Sequence, residues 1–158
     1  MLEASTTQTS TSFEDVLARQ GHLVYTNVGP SMLPYIKQGK TLMYIRALGD
    51  YTPKRLDAVL YKRGDKYLLH RIIWAGKDSY VLCGDNQWKP ELGVKQAQII
   101  GVLDKLIQDG QERSVKDPTY KAYVHLICDL FPIRALILGT RGLIRRVIRK
   151  TKSTKPGM

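Results

Sequence analysis

The sequence predicts a mainly β domain with a C-terminal amphipathic helical extension. Three observations carry that expectation. Between His22 and Gln108, short β-branched, aromatic and aliphatic runs are separated by Gly, Asp and Asn turn signals. Past Pro118 the apolar residues switch to helical spacing. Charge changes at the same place. The 158 residues carry a formal +11, but nine Lys and Arg against the single acid Asp129 put +8 of it from Tyr120 onward, leaving +3 to the first 119 residues. A nearly balanced body with a basic tail calls for an anionic partner, either a membrane surface or nucleic acid.

The elements follow in order. Residues 1–12 are rich in Ser and Thr and read as a disordered lead, without the basic start and apolar run of a secretory signal. Residues 13–20 read as a short helix, with Ser12 as N-cap, Asp15 three residues on and Gly21 as the stop. Residues 1–21 are thus a lead plus a helix, and 22–110 the β-rich domain. Within it, 22–28 alternates and enters the turn Gly29-Pro30-Ser31-Met32-Leu33-Pro34. Further strands are expected at 41–46, 56–62, 66–75, 79–83 and 97–108. The turns between them fall at Gly64-Asp65, Gly76-Lys77-Asp78, Gly84-Asp85-Asn86 and Asp109-Gly110.

Residues 119–150 read as a basic amphipathic helical region, and 151–158 as a basic disordered tail. Tyr120, Tyr123, Val124, Ile127 and Leu130/Phe131 recur at helical spacing, and Pro132 interrupts. Then Ile133, Leu136, Ile137, Thr140, Ile144, Val147 and Ile148 share a face opposite Arg134, Arg141, Arg145 and Arg149. Two placements fit this pattern. The helix either packs on the β domain with its arginines in solvent, or lies in the plane of an anionic membrane. A membrane span is disfavoured, because His125, Asp129, Pro132 and Arg134 break the apolar stretch.

The chemistry-bearing residues are few. Cys83 and Cys128 form no Cys-x-x-Cys pair, and His22, His70 and His125 are scattered, so no metal and no cofactor is expected. Ser31 sits in a turn made by Gly29 and two prolines, with Met32 and Leu33 as apolar anchors. A serine held rigidly with its own N–H beside it suits acyl transfer. Taken alone the peptide is also an ordinary Gly-Pro-Ser turn. A serine needs a base, and His70 is the candidate. On a strand it shares a face with Leu68, Ile72 and Trp74 while Arg71 points the other way. The plain alternative is a core histidine satisfied by a neighbour. A third group would orient the ring: Asp85 in Gly84-Asp85-Asn86, or Glu91 six residues later. Asx-turn capping and a surface charge are their ordinary roles, and the pattern does not choose between them.

In this order the motifs resemble those of type I signal peptidases and LexA-like serine peptidases. Gly29-Pro30-Ser31-Met32-Leu33-Pro34 is similar to the nucleophile box, with wording closest to mitochondrial inner-membrane peptidases. Leu56-Asp57-Ala58-Val59-Leu60-Tyr61 resembles the Gly-Asp-Ile-Val-x-Tyr/Phe strand. Leu69-His70-Arg71-Ile72-Ile73 resembles the strand bearing the base, Gly84-Asp85-Asn86 the Gly-Asp-Asn box, and Ile100-Gly101-Val102 the closing strand. Most bacterial and mitochondrial members have Lys-Arg at the base position. His70-Arg71 is similar to the endoplasmic-reticulum and archaeal branch.

The resemblance implies a signal-peptidase/LexA-like β fold and a Ser31–His70 dyad assisted by Asp85 or Glu91. Its substrate would be a leader or signal segment of a precursor. Two departures stand out. Gly39-Lys40 replaces the usual Gly-Asp, and Gly29 replaces a serine that often serves the oxyanion hole, leaving the Ser31 N–H and neighbouring amides. The expected location is cytoplasmic, peripheral on the inner face of the membrane, with anchoring through the C-terminal region as the alternative. Rival functions are a LexA-like self-cleaving regulator and an inactive peptide-binding module. Nucleic acid is disfavoured as a partner because no helix-turn-helix precedes the β domain.

Overall fold

The computed structural model describes residues 12–26 and 29–140, and these form a mainly β fold with a C-terminal helical extension. The strands are β1 His22–Thr26, β2 Thr41–Ala47, β3 Ala58–Arg63, β4 Lys66–Ala75, β5 Tyr80–Cys83, β6 Glu91–Val94, β7 Ile99–Gln108 and β8 Gln111–Ser114. They make one antiparallel sheet in the order β1-β2-β7-β3-β4-β5-β6, with β8 added on β7. β7 joins the two halves of the sheet. It pairs with β2 over most of its length and with β3 at Ile99–Val102.

Side-chain alternation sets which residues reach which core. In β2, Thr41, Met43 and Ile45 are buried while Leu42 and Arg46 face out. β3 is buried on both faces, which is why it reads as a continuous apolar run. Ala58 and Leu60 enter one core with Met32, Ile36, Met43 and Leu69. Val59 and Tyr61 enter the other with Ile72, Leu82 and Val102. Adjacent residues of β4 therefore serve different chemistry. His70 lies on the face of Leu68 and Ile72, and Arg71 lies opposite.

Helices close the first core. α1 Phe13–Gln20 has the expected cap: Ser12 Oγ accepts from Asp15 N at 3.1 Å, Asp15 Oδ2 accepts from Ser12 N at 3.3 Å, and Gly21 ends it. Leu17 enters the first core beside Ile45 and Leu103, so α1 packs into the β unit. With β8 reaching Ser114, that unit extends past residues 22–110 at both ends. α2 Pro118–Asp129 adds Tyr120, Val124 and Cys128 to the same core. A further helix, α3 Phe131–Thr140, leaves α2 at 67°. Pro132 lies in the first turn of α3, where a missing N–H costs nothing, so the break precedes it.

Other departures have local causes. Leu56 has φ 83, a left-handed value, so β3 begins at Ala58 rather than at residue 56. A 3-10 turn over Gln96–Gln98 delays β7 to Ile99. The β4–β5 register shifts between Ile72 and Trp74, and Trp74 is 55% exposed instead of sharing the apolar face of His70. The predicted lead, the strand end at 27–28, the arginines at 141, 145 and 149, and the tail 151–158 lie outside the described residues.

Candidate active site

The Ser31 turn is built by burial on one side and glycine on the other. Met32 and Ile36 are fully buried in the first core, and Ile36 N donates to Met32 O at 3.0 Å. Burying a side chain of that size contributes about 2 kcal/mol. Gly29 has φ 119, a conformation a side chain would disfavour, so its lack of a hydroxyl goes with a backbone requirement. Among the described residues, no hydrogen bond is donated by the N–H groups of Ser31 and Met32, the two backbone donors beside the serine.

The Gly84-Asp85-Asn86 loop grips this turn. Asn86 N donates to Ser31 O at 2.8 Å, and Asn86 Nδ2 donates to Pro30 O at 3.2 Å. A Cβ on residue 84 would lie 2.6 Å from Ser31 O, so only glycine permits the approach.

His70 reaches the site from β4. Val59 faces His70 and Tyr61 faces Leu68 across the β3–β4 pair, which sets Tyr61 diagonal to His70 on one face. Tyr61 Oη lies 3.0 Å from His70 Nδ1 and donates to Glu91 Oε2 at 2.6 Å. Glu91 comes to the same face because it pairs with Leu82, and it also takes Arg63 Nη1 at 2.9 Å. With Nδ1 occupied, Nε2 is the ring nitrogen left for the cleft. Burial lowers the pKa of His70 below its ordinary 6.5. Glu91 opposes that shift, Arg63 adds to it, and Asp85 opposes it.

A cleft of about 540 Å3 opens between the turn and the sheet, walled by Pro30, Ser31, Leu68, His70, Asn86 and Glu91. Gly29 also lines it, while Met32 is behind the wall in the core. Ser31, His70 and Glu91 are therefore brought together. No hydrogen bond joins Ser31 Oγ to the His70 ring among the described residues.

Asp85 is placed differently. Its carboxylate takes Arg71 Nε at 2.8 Å and Arg71 Nη2 at 2.7 Å, with both side chains buried. Tyr123 Oη of α2 donates to it at 2.9 Å, and Arg134 Nη1 of α3 donates to its carbonyl at 2.7 Å. Burial works against the charge of Arg71, but Asp85 outweighs it and holds the guanidinium charged. Asp85 thus faces the opposite side of β4 from His70. Neither Asp85 nor Glu91 hydrogen-bonds the ring directly among the described residues, and Glu91 reaches it through Tyr61.

Three contributors escaped the sequence: Tyr61, Arg63 and Asn86. Tyr61 and Asn86 lie inside motifs already singled out, but their partners depend on strand register. Among the described residues no group of three His, Cys, Asp or Glu is arranged to hold a metal ion. Burial pushes the Cys83 thiol up to about 11, so it is a weak nucleophile. No protein-family model, no curated protein and no solved structure matches this chain.

Proposed function

We propose that this protein is a serine endopeptidase of the signal-peptidase kind, cutting a leader or signal segment from a precursor. The observation that carries the reading is that Ser31 and His70 wall one cleft while Tyr61 takes His70 Nδ1, so that Nε2 is the ring nitrogen with no hydrogen bond among the described residues. Ser31 Oγ attacks the scissile carbonyl and His70 Nε2 takes the proton. The N–H groups of Ser31 and Met32 are the candidate donors to the oxyanion. The tetrahedral species collapses as the C–N bond breaks and His70 returns the proton to the leaving amine. Water, deprotonated by the same ring, then hydrolyses the acyl-Ser31 ester. Glu91 stabilises the imidazolium through Tyr61. Asp85 holds the loop that positions Ser31 and takes no proton.

The proposed location is the cytoplasmic side of a membrane. The apolar residues of α2 and α3 would meet the surface there, together with the basic C-terminal stretch. No single described helix is long and apolar enough to cross a membrane, and only the bent pair α2–α3 has the length and composition.

A second reading has one observation in its favour: with no Ser31–His70 hydrogen bond, the cleft could bind an extended peptide without cutting it. One assay separates the two. Purified protein is incubated with fluorogenic peptides bearing small residues at the cleaved bond, beside Ser31→Ala and His70→Ala. The peptidase reading expects cleavage that both substitutions reduce by at least about 1000-fold. Peptide binding with no Ser31-dependent cleavage would establish the binding module instead.

A further inference from the structure

We infer that Tyr61 is the positioning residue of this site, holding the neutral His70 ring as the Nδ1–H tautomer so that Nε2 is the base toward the cleft. The catalytic part of this inference rests on the peptidase reading. The tautomer itself does not.

Counting protons gives the direction of the chain. The Tyr61 hydroxyl has one proton and two neighbours, His70 Nδ1 at 3.0 Å and Glu91 Oε2 at 2.6 Å. Glu91 is ion-paired to Arg63 at 2.9 Å and has only lone pairs to offer. The 2.6 Å oxygen–oxygen separation is that of a hydroxyl donating to a carboxylate. Sending the proton to His70 instead would leave two bare oxygens at that distance. So the Tyr61 proton points at Glu91, and the Tyr61 oxygen must accept. Only a protonated Nδ1 can then make the 3.0 Å contact. The tautomer of a histidine follows from the bond its other nitrogen makes.

The arrangement differs from a carboxylate set against the ring. Tyr61 is fully buried, and burial together with Glu91 raises its pKa, so it stays a phenol. The phenol insulates the ring from the full charge of Glu91, and the buried ring stays neutral at rest. Once Nε2 takes the serine proton, the Tyr61 dipole and the Glu91 charge behind it already point at the imidazolium.

The test uses long-range 1H–15N NMR of the His70 ring together with the peptide assay. The full chain is examined as wild type, Tyr61→Phe and Glu91→Ala. The wild-type neutral ring is expected to carry its proton on Nδ1. Tyr61→Phe removes the acceptor, so the proton moves to Nε2 and kcat falls about 100- to 1000-fold with KM little changed. Glu91→Ala keeps the phenol but frees its proton to turn toward Nδ1, so the same tautomer change is expected. A wild-type Nε2–H tautomer overturns the inference, as does either variant keeping Nδ1–H. If the NMR result holds but no peptide is cut, the peptidase reading fails and the tautomer assignment survives. If peptides are cut and Tyr61→Phe is as active as wild type, the positioning role fails and the peptidase survives.

Discussion

In the proposed mechanism His70 acts as a base only while its ring is neutral, and its surroundings favour that form. Burial disfavours the imidazolium, and Glu91 and Asp85 return only part of the loss. The acid limb of kcat/KM should therefore have its midpoint below the ordinary 6.5. A midpoint above 6.5 in a pH–rate profile would assign that limb to another group. The stability sign follows the same shift. Above 6.5 the ring is neutral whether the chain is folded or not, and it contributes no pH dependence. As pH falls through 6.5 the unfolded chain binds a proton the folded ring resists, so stability declines until the lower folded pKa is passed. Urea midpoints across this range should fall less in His70→Gln than in wild type. At this scale Ser31 and His70 were legible because each lies in a short recognisable peptide. Tyr61 was not, because its partners come from β4 and β6, and a one-residue slip would turn it to the other core.

Single elements gain their roles through what they grip. The Gly84-Asp85-Asn86 loop has Asn86 on the Ser31 turn and Asp85 inside a buried network from β4, α2 and α3. Removing one partner of a buried ion pair leaves the other charge uncompensated, at about 3–5 kcal/mol. Asp85→Ala should lower unfolding stability by about that amount in a urea titration, through the charge stranded on Arg71. Pairing it with Arg71→Met should recover much of the loss, and a double variant no more stable than Asp85→Ala would disprove the pairing argument. The same scale explains what the sequence concealed. α1 and β4 were legible to the residue because a capping box and two clear turns bound them. β8 is Gln111-Glu112-Arg113-Ser114, with no apolar residue to alternate, and it exists only as the outer strand of a hairpin on β7. β6 begins at Glu91 and contains Gly93, so it reads as loop until β5 pairs with it.

Across the whole molecule, polarity is unevenly distributed. The sheet, α1 and one face of α2 enclose two apolar cores, while the rest of α2, the break after it and α3 leave Leu126, Leu130, Ile133, Leu136 and Ile137 in solvent. Leu136 is 68% exposed. Arg134 was expected on a solvated arginine face. It turns inward instead, with Nη1 on Asp85 O and its guanidinium over Phe131. A helix packed on the domain by its apolar side would look the opposite way round, so these residues favour a surface that covers the apolar side. The nearby chain is strongly basic, and a bilayer with anionic headgroups satisfies both features. The full chain should therefore float with anionic vesicles, bind zwitterionic ones far less, and release as salt rises. Replacing both Ile133 and Leu136 with Asp should abolish flotation without moving the urea midpoint, since neither packs in a core. Because Arg134 links α3 to the loop holding Ser31, bound vesicles should also change the rate of peptide cleavage by wild type and not by the double variant. Equal flotation of wild type and double variant would remove the apolar face from the account and leave only the basic stretch to explain binding.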